Sequence, residues 1–178
     1  MTTNLNASLV LHTTTSTNNS SRTSFTWNNI DLRMLLGDMY NKYDRFNLCL
    51  NTIASGISNN YLGSTADAQV LVRVSGLPWV NNTYNITTTS NNNTGTTVIA
   101  SFLFVNNSQQ TQYFYGSNMA TFAKNSDIAS ITIDYIRVSD LATPAVQNGT
   151  TFPHVAFIFD IFGIDDFKIN QVQQRIIR

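Results

Sequence analysis

The stretch HVAFIFDIFGI, residues 154–164, decides the fold class of this chain. It is almost continuously apolar and rich in β-branched and aromatic residues, which is typical of a strand covered on both faces. The segment before it, IASITIDYIRVS at residues 128–139, places Ile131, Ile133 and Tyr135 on one face of a strand. Alternation with a period of two indicates a strand with one buried face. These two segments predict a β-protein.

Six weaker strand candidates precede them, at the spacing expected of a β-sandwich. They lie at residues 5–13, 46–57, 68–75, 84–88, 96–105 and 112–122, the last of them interrupted by Gly116. Eight strands are the number found in two Greek keys laid face to face, so we expect an all-β, eight-stranded antiparallel jelly-roll sandwich. No repeat or linker divides the chain. We therefore expect a single jelly-roll domain over residues 1–178, with an N-terminal arm at 1–4 and a C-terminal tail at 167–178.

One short α-helix is predicted between the first two strands. Its apolar residues recur at helical spacing, and they are Leu32, Leu35, Leu36, Met39, Tyr40 and Tyr43. Asn29 or Asp31 can cap the start of this helix through its side-chain oxygen. The apolar stripe is expected to pack over one end of the sandwich rather than to form a groove for a partner.

The polar composition is unusual and argues against several functions. Asn, Thr and Ser make up 62 of the 178 residues, charged residues are only 11 %, and Glu is absent. The net charge is zero, and the densest basic stretch is Arg175 and Arg178. Direct binding of nucleic acid is not expected, because such proteins neutralise phosphates with many Lys and Arg residues. The sequence also predicts no signal peptide and no transmembrane segment.

Residues that could support catalysis or bind a metal are few and scattered. His12 and His154 are expected to be isolated from each other, and no His or Cys motif with metal-ligand spacing is present. Cys49 is expected to be a small buried strand residue and not a nucleophile. We therefore predict no catalytic residues, no cofactor and no metal site.

Two carboxylates are the strongest candidates for catalytic residues. Asp134 and Asp160 lie within the two strongest strands, and on neighbouring strands they would form a glycosidase-like acid pair. The alternative is that each Asp faces outward or towards another subunit, paired with Arg73 or Arg137. Residues 165–166, Asp-Asp, are expected to be solvated turn residues rather than part of a calcium site.

Two segments resemble small single-jelly-roll capsid proteins. They are WNNIDLRMLLGDMYNKYDRFNL at residues 27–48 and FPHVAFIFDIFGI at residues 152–164. The group they are similar to comprises the minor capsid and penton proteins of large icosahedral double-stranded DNA viruses and their virophage relatives. This resemblance implies a virion protein assembled in the host cytoplasm. It also implies other capsid proteins as partners, with a homo-oligomer in which a pentamer is favoured over a trimer.

An assembly role predicts that apolar residues in the loops and in the tail contact other subunits. The predicted interface residues are Tyr113, Phe114, Tyr115, Phe167, Ile169, Val172 and Ile176. A carbohydrate- or receptor-binding β-sandwich, such as a lectin or fibre head, is the alternative function. In that case Trp79 and the Tyr113–Tyr115 cluster would be stacking platforms for sugars. An enzyme ranks third.

Overall fold

The structure, a computed structural model, describes residues 6–17, 23–56, 69–77, 97–104, 109–114, 119–138, 143–144 and 154–164. These ranges contain nine strands, two short α-helices and one 3-10 turn at Thr13–Thr15. The strands are β1 (Asn6–His12), β2 (Ser24–Asp31), β3 (Arg45–Ser55), β4 (Gln69–Ser75), β5 (Thr97–Leu103), β6 (Gln110–Tyr113), β7 (Met119–Ala123), β8 (Ile128–Arg137) and β9 (Val155–Ile164). The helices are α1 (Leu32–Leu36) and α2 (Asp38–Lys42).

The strands form two antiparallel sheets. The first sheet has the order β1-β9-β3, and both β6 and β7 pair with β3 on its far side. β6 pairs with the C-terminal part of β3 and β7 with the N-terminal part, so together they fill one strand position. The second sheet has the order β2-β8-β4-β5. Eight strand positions in two four-stranded sheets confirm the predicted jelly-roll sandwich.

The core lies between the two sheets and is rich in aromatic residues. β9 contributes Phe157 and Phe159, and β8 contributes Ile133 and Tyr135, all of them buried as the sequence predicts. Trp27 of β2 packs edge-on against Phe157 across the sandwich, with ring centroids 6.5 Å apart. Edge-on aromatic pairs of this kind add stability beyond the burial of their area.

The outer face of β9 differs from the prediction. Phe157, Phe159 and Ile161 point into the core, and the alternate residues point to the outer face of the sheet. On that outer face Ala156 is half-buried and Phe162 is exposed. Within one chain β9 is therefore not fully covered on both faces. The expectation was wrong because an apolar run shows how much surface is available for burial, and not which molecule covers it.

The helical region also differs from the prediction in two ways. Strand β2 precedes it, so the helices lie between the second and third strands and not between the first two. The helix is also divided at Gly37, whose φ of 53° and ψ of −128° end α1 and begin α2. β2 was missed because its alternation is short. The pairing register with β8 shifts between Trp27 and Ile30, and Asn29 in this interval has a φ of 59°.

The remaining strand predictions have mixed outcomes. The interrupted strand at residues 112–122 corresponds to β6 and β7, on either side of Gly116. The predicted strand at residues 84–88 lies outside the described residues. The predicted arm at residues 1–4 and the tail at 167–178 lie outside them as well.

Candidate functional site

The two strand carboxylates do not meet. Asp134 lies on β8 in the second sheet, and Asp160 lies on β9 in the first sheet. Both stand on the outer faces of their sheets, with the core between them. A glycosidase-like acid pair requires two carboxyl groups within about 5–10 Å on either side of one bond. The alternative reading from the sequence, two separate outward-facing carboxylates, is the one that agrees with this arrangement.

Asp134 joins three strands of the second sheet. Arg73 of β4 donates to it from Nη2 at 3.1 Å and from Nε at 3.3 Å. Ser24 of β2 donates its hydroxyl to the other carboxylate oxygen at 2.5 Å. The predicted ion pair with Arg73 is therefore confirmed. The carboxylate is partly buried and accepts charge-assisted hydrogen bonds from both neighbouring strands, which indicates a structural role.

Asp160 has the same role in the first sheet. Ser8 of β1 donates to it at 3.2 Å, and the amide of Asn51 on β3 donates at 2.6 Å. The three residues lie on the three adjacent strands β1, β9 and β3. Asp160 thus accepts hydrogen bonds from two neutral donors, and its carboxylate lies at the centre of this outer face.

The two histidines lie side by side, which corrects the prediction that they are isolated. Their ring centroids are 5.8 Å apart, with an angle of 41° between the ring planes. The pairing of β1 with β9 brings them together, since His12 ends β1 and His154 directly precedes β9. The Nδ1 atom of His12 is 2.6 Å from the hydroxyl oxygen of Thr14. In the described part of the chain, no group of three or more His, Cys, Asp or Glu residues is placed to hold a metal ion.

Cys49 is a buried strand residue, as predicted. It lies on β3 opposite Asp160 and is 9 % exposed. Burial raises the pKa of its thiol, and the nearby Asp160 carboxylate raises it further. A thiol with a raised pKa is a poor nucleophile at neutral pH, because the thiolate is the reactive form.

A polar cluster fastens the two helices to the turn between β7 and β8. Arg33 of α1 forms an ion pair with Asp127 at 2.9 Å, and the Tyr40 hydroxyl donates to the same carboxylate. The hydrogen bond with Tyr40 lowers the pKa of Asp127, and the hydrogen bond with Arg33 lowers it further. The bond to Asp127 also raises the pKa of Tyr40. Lys124 donates to the carbonyl oxygen of Tyr40 at 2.5 Å. The cluster is exposed, and its contacts hold parts of one chain together.

The predicted interface residues are only partly within the described region. Tyr113 ends β6 with 62 % of its surface exposed, while Phe114 is half-buried against the core. Tyr115, Phe167, Ile169, Val172 and Ile176 lie outside the described residues, as does Trp79. Tyr113 therefore points to solvent, and Phe114 belongs to the packing of the sandwich.

Sequence reasoning missed several exposed apolar side chains on the outer face of the first sheet. Val10 of β1 is 59 % exposed and Phe162 of β9 is 37 % exposed. The register places Val10 opposite Ile158, Ile158 opposite Thr52, and Thr52 opposite Tyr113, in one row across four strand positions. Residues directly opposite in antiparallel strands share a face. The alternate apolar residues of β9 were the signal for this surface in the sequence.

The outer face of the second sheet is polar at its centre. One row runs from Thr26 through Thr132 to Ser75, and the hydroxyls of Thr26 and Thr132 are 2.9 Å apart. The neighbouring row contains the ion pair of Arg73 with Asp134. The next row of this face pairs Leu71 with Ile136, and the first sheet carries Asp160 at the centre of its outer face. Both outer faces therefore combine polar and apolar rows.

Comparisons with known proteins give only distant similarities. No family model and no curated protein sequence matches the chain. Among solved structures, the chain is similar to one from Sacbrood virus of honeybee, with a TM-score of 0.31 and 8 % identity. That match covers 89 % of this chain and 66 % of the other, so this chain spans just under two thirds of its length. A structure of Sacbrood virus of honeybee in expansion state II matches with a TM-score of 0.30 and 8 % identity, covering 89 % and 80 % of the two chains. Similarity at this level carries no argument about function.

Proposed function

We propose that this chain is a structural subunit of a viral shell, in the position of a penton or minor capsid protein. The jelly roll is a fold that builds such shells, although it also carries other functions. The observation that carries the proposal is the exposure of large side chains on the two edge strands of the first sheet, where Val10 of β1 and Tyr113 of β6 are 59 % and 62 % exposed. A subunit that is buried against neighbours needs such a surface.

The chemistry of the chain supports assembly rather than catalysis. Asp134 and Asp160 bind strand neighbours, and the Cys49 thiol has a raised pKa. Neutral Asn, Ser and Thr side chains, which dominate the polar composition, are less costly to desolvate in an interface than charged ones. We propose that the chain has no enzymatic activity of its own and needs no cofactor.

The finer part of the proposal concerns partners and location. We propose a homo-oligomer, with a pentamer favoured over a trimer, that contacts other capsid proteins in a virion assembled in the host cytoplasm. Zero net charge argues against direct contact with nucleic acid. No helix in the described ranges is long and apolar enough to cross a membrane.

Quantitative mass spectrometry of purified particles tests this proposal. We expect the chain to co-purify with the shell through density gradients, at a constant ratio to the most abundant shell protein. Its absence from particles whose other shell proteins are intact would contradict the proposal.

Carbohydrate binding is a second candidate, favoured by the exposed ring of Tyr113. A lectin should bind glycans saturably as an isolated chain, and the substitution Tyr113→Ala should abolish this binding. The control substitution Met34→Ala changes an apolar side chain of α1 that is 84 % exposed, and it should leave glycan binding unchanged. Glycan-array binding followed by titration calorimetry distinguishes this function from shell assembly.

A further inference from the structure

The paired imidazoles of His12 and His154 are a feature of the described surface that the proposed function does not use. His12 lies opposite Ala156 of β9, and His154 stands two residues before Ala156, so both side chains belong to the outer face of the first sheet. The two residues are far apart in the sequence and meet because β1 and β9 are adjacent in the sheet. His154 is exposed and His12 is half-buried, so an ion in solution can reach both rings.

The distance between the two rings suits coordination of one metal ion. A zinc–imidazole bond is about 2.0–2.1 Å long, so the centre of a coordinating ring lies about 3.2 Å from the ion. Two such rings at the tetrahedral angle have centroids about 5.2 Å apart, and two rings on opposite sides of the ion have centroids about 6.4 Å apart. The observed distance of 5.8 Å falls between these values. The rings therefore need only small rotations to share an ion.

Thr14 holds the ring of His12 in a defined orientation. The hydroxyl oxygen of Thr14 lies 2.6 Å from Nδ1 of His12, and the backbone N–H of Thr14 donates to the same atom at 3.3 Å. Nδ1 is thereby engaged, and Nε2 is the nitrogen available to an ion. Coordination through Nε2 selects the tautomer in which Nδ1–H donates to the Thr14 hydroxyl. An imidazole held at its second nitrogen in this way is typical of metal-binding histidines.

The backbone around the pair is fixed as well. The N–H of Gly56 donates to the carbonyl oxygen of His154 at 2.7 Å. Thr13, which follows His12 and is fully buried, accepts a hydrogen bond from the N–H of Val155 at its hydroxyl oxygen, at 3.1 Å. Binding an ion therefore costs little conformational freedom beyond the rotation of the two rings, and such preorganisation favours affinity.

The chemistry of the pair selects the kind of ion. Neutral imidazole nitrogens suit zinc and copper, whereas Mg²⁺ and Ca²⁺ require oxygen ligands. Within the described ranges, no further His, Cys, Asp or Glu extends the pair to a group of three. Water molecules would fill the remaining coordination positions, as they do at zinc sites that keep an open position.

We infer that His12 and His154 form a two-histidine site for a divalent transition-metal ion, Zn²⁺ or Cu²⁺. The ion fastens the end of the edge strand β1 to the start of β9, and it takes no part in a reaction. This site departs from the prediction of no metal site, which rested on ligand spacing along the chain. The inference is independent of the proposed function, because it requires neither a shell nor a second subunit.

Isothermal titration calorimetry of the full chain with Zn²⁺ tests the inference. We expect one ion per chain. His154→Ala and His12→Asn should each weaken binding by about tenfold or more, because a single imidazole remains. Cys49→Ser is the matched control, since it removes the thiol of the described residues and keeps both imidazoles, and it should leave Zn²⁺ affinity unchanged.

Thr14→Val tests the orientation of the ring. This variant keeps the size of the side chain and removes the hydroxyl that contacts Nδ1, so Zn²⁺ affinity should fall by about tenfold while both imidazoles remain. Zn²⁺ at about 100 times its Kd should raise the Tm of the unchanged chain by about 5–11 °C, because the unfolded chain does not hold the two histidines together. His154→Ala should abolish this rise.

Pulsed electron paramagnetic resonance with Cu²⁺ counts the coordinating imidazoles directly. We expect two in the unchanged chain and one in His154→Ala, whose exposed position should leave the fold intact, as far-UV circular dichroism verifies. A single imidazole in the unchanged chain would overturn the inference, and this result needs no variant that folds. Zn²⁺ binding that does not saturate by about 1 mM, or that is equally tight in the unchanged chain and His154→Ala, would overturn it as well.

Discussion

The contact between Gly163 and Tyr43 provides the sharpest test of how the helical region is attached to the sandwich. Gly163 lies on β9 directly opposite Phe46 of β3. A Cβ atom at position 163 would overlap three atoms of the Tyr43 ring, so Gly163→Ala forces that ring to move. The ring cannot move inward, because it packs edge-on against Phe46, which is fully buried and stacks on Phe122 at 5.5 Å.

The expected cost follows from this geometry. Adding a methyl group to a well-packed site costs about 1–3 kcal/mol, because side chains must leave their preferred positions. At about 2–4 °C per kcal/mol for a chain of this length, Gly163→Ala should lower Tm by about 2–12 °C. Gly56→Ala is the matched control. A Cβ there would lie 3.5 Å from the backbone oxygen of His154, an ordinary contact, so the change should stay within about 0.5 kcal/mol.

Thermal and urea unfolding, followed by far-UV circular dichroism, measure both variants. A double-mutant cycle with Tyr43→Ala identifies the cause, because removing the ring should remove most of the cost of Gly163→Ala. Equal Tm values for Gly163→Ala and Gly56→Ala would refute the reasoning. So would a cost for Gly163→Ala that is the same with and without the Tyr43 ring.

Two further predictions concern the same helical region. Asp31 accepts hydrogen bonds from the backbone N–H groups of Arg33 and Met34, so Asp31→Ala should cost about 1 kcal/mol of unfolding free energy. Asp38→Ala, at a position that forms no side-chain cap, should cost less in the same urea titration. The lowered pKa of Asp127 means that its ionised form stabilises the fold at neutral pH, and this contribution is lost as the pH falls below about 4, through the folded-state pKa. The stability difference between the unchanged chain and Asp127→Asn should therefore shrink between pH 7 and pH 3, and a difference that grows on acidification would contradict this sign.

The strands that could be predicted from the sequence are those whose inward positions alternate over a long stretch. Ile131, Ile133 and Tyr135 in β8 show this pattern without interruption, and they lie in the core as expected. In β2 the alternation covers only Phe25 and Trp27 before the register shifts, so the same rule failed there. Periodicity detects a strand only when the strand is longer than the irregularity that interrupts it.

Contacts between distant parts of the chain could not be predicted from spacing. His12 and His154 are adjacent only because β1 pairs with β9, and that pairing depends on the whole jelly-roll topology. The apolar positions Ile158 and Phe162 were visible in the sequence, but which face they occupied depended on the register of β9. A shift of one residue would have moved them into the core. Apolar character was therefore predictable, and exposure was not.

A cryo-electron microscopy reconstruction of purified particles tests the central claim most directly. If the chain is a shell subunit, density for a two-sheet jelly roll of 178 residues will fit its side chains at symmetry-related positions, with five copies around a vertex as the favoured arrangement. A reconstruction in which every shell position is occupied by other proteins would contradict the claim.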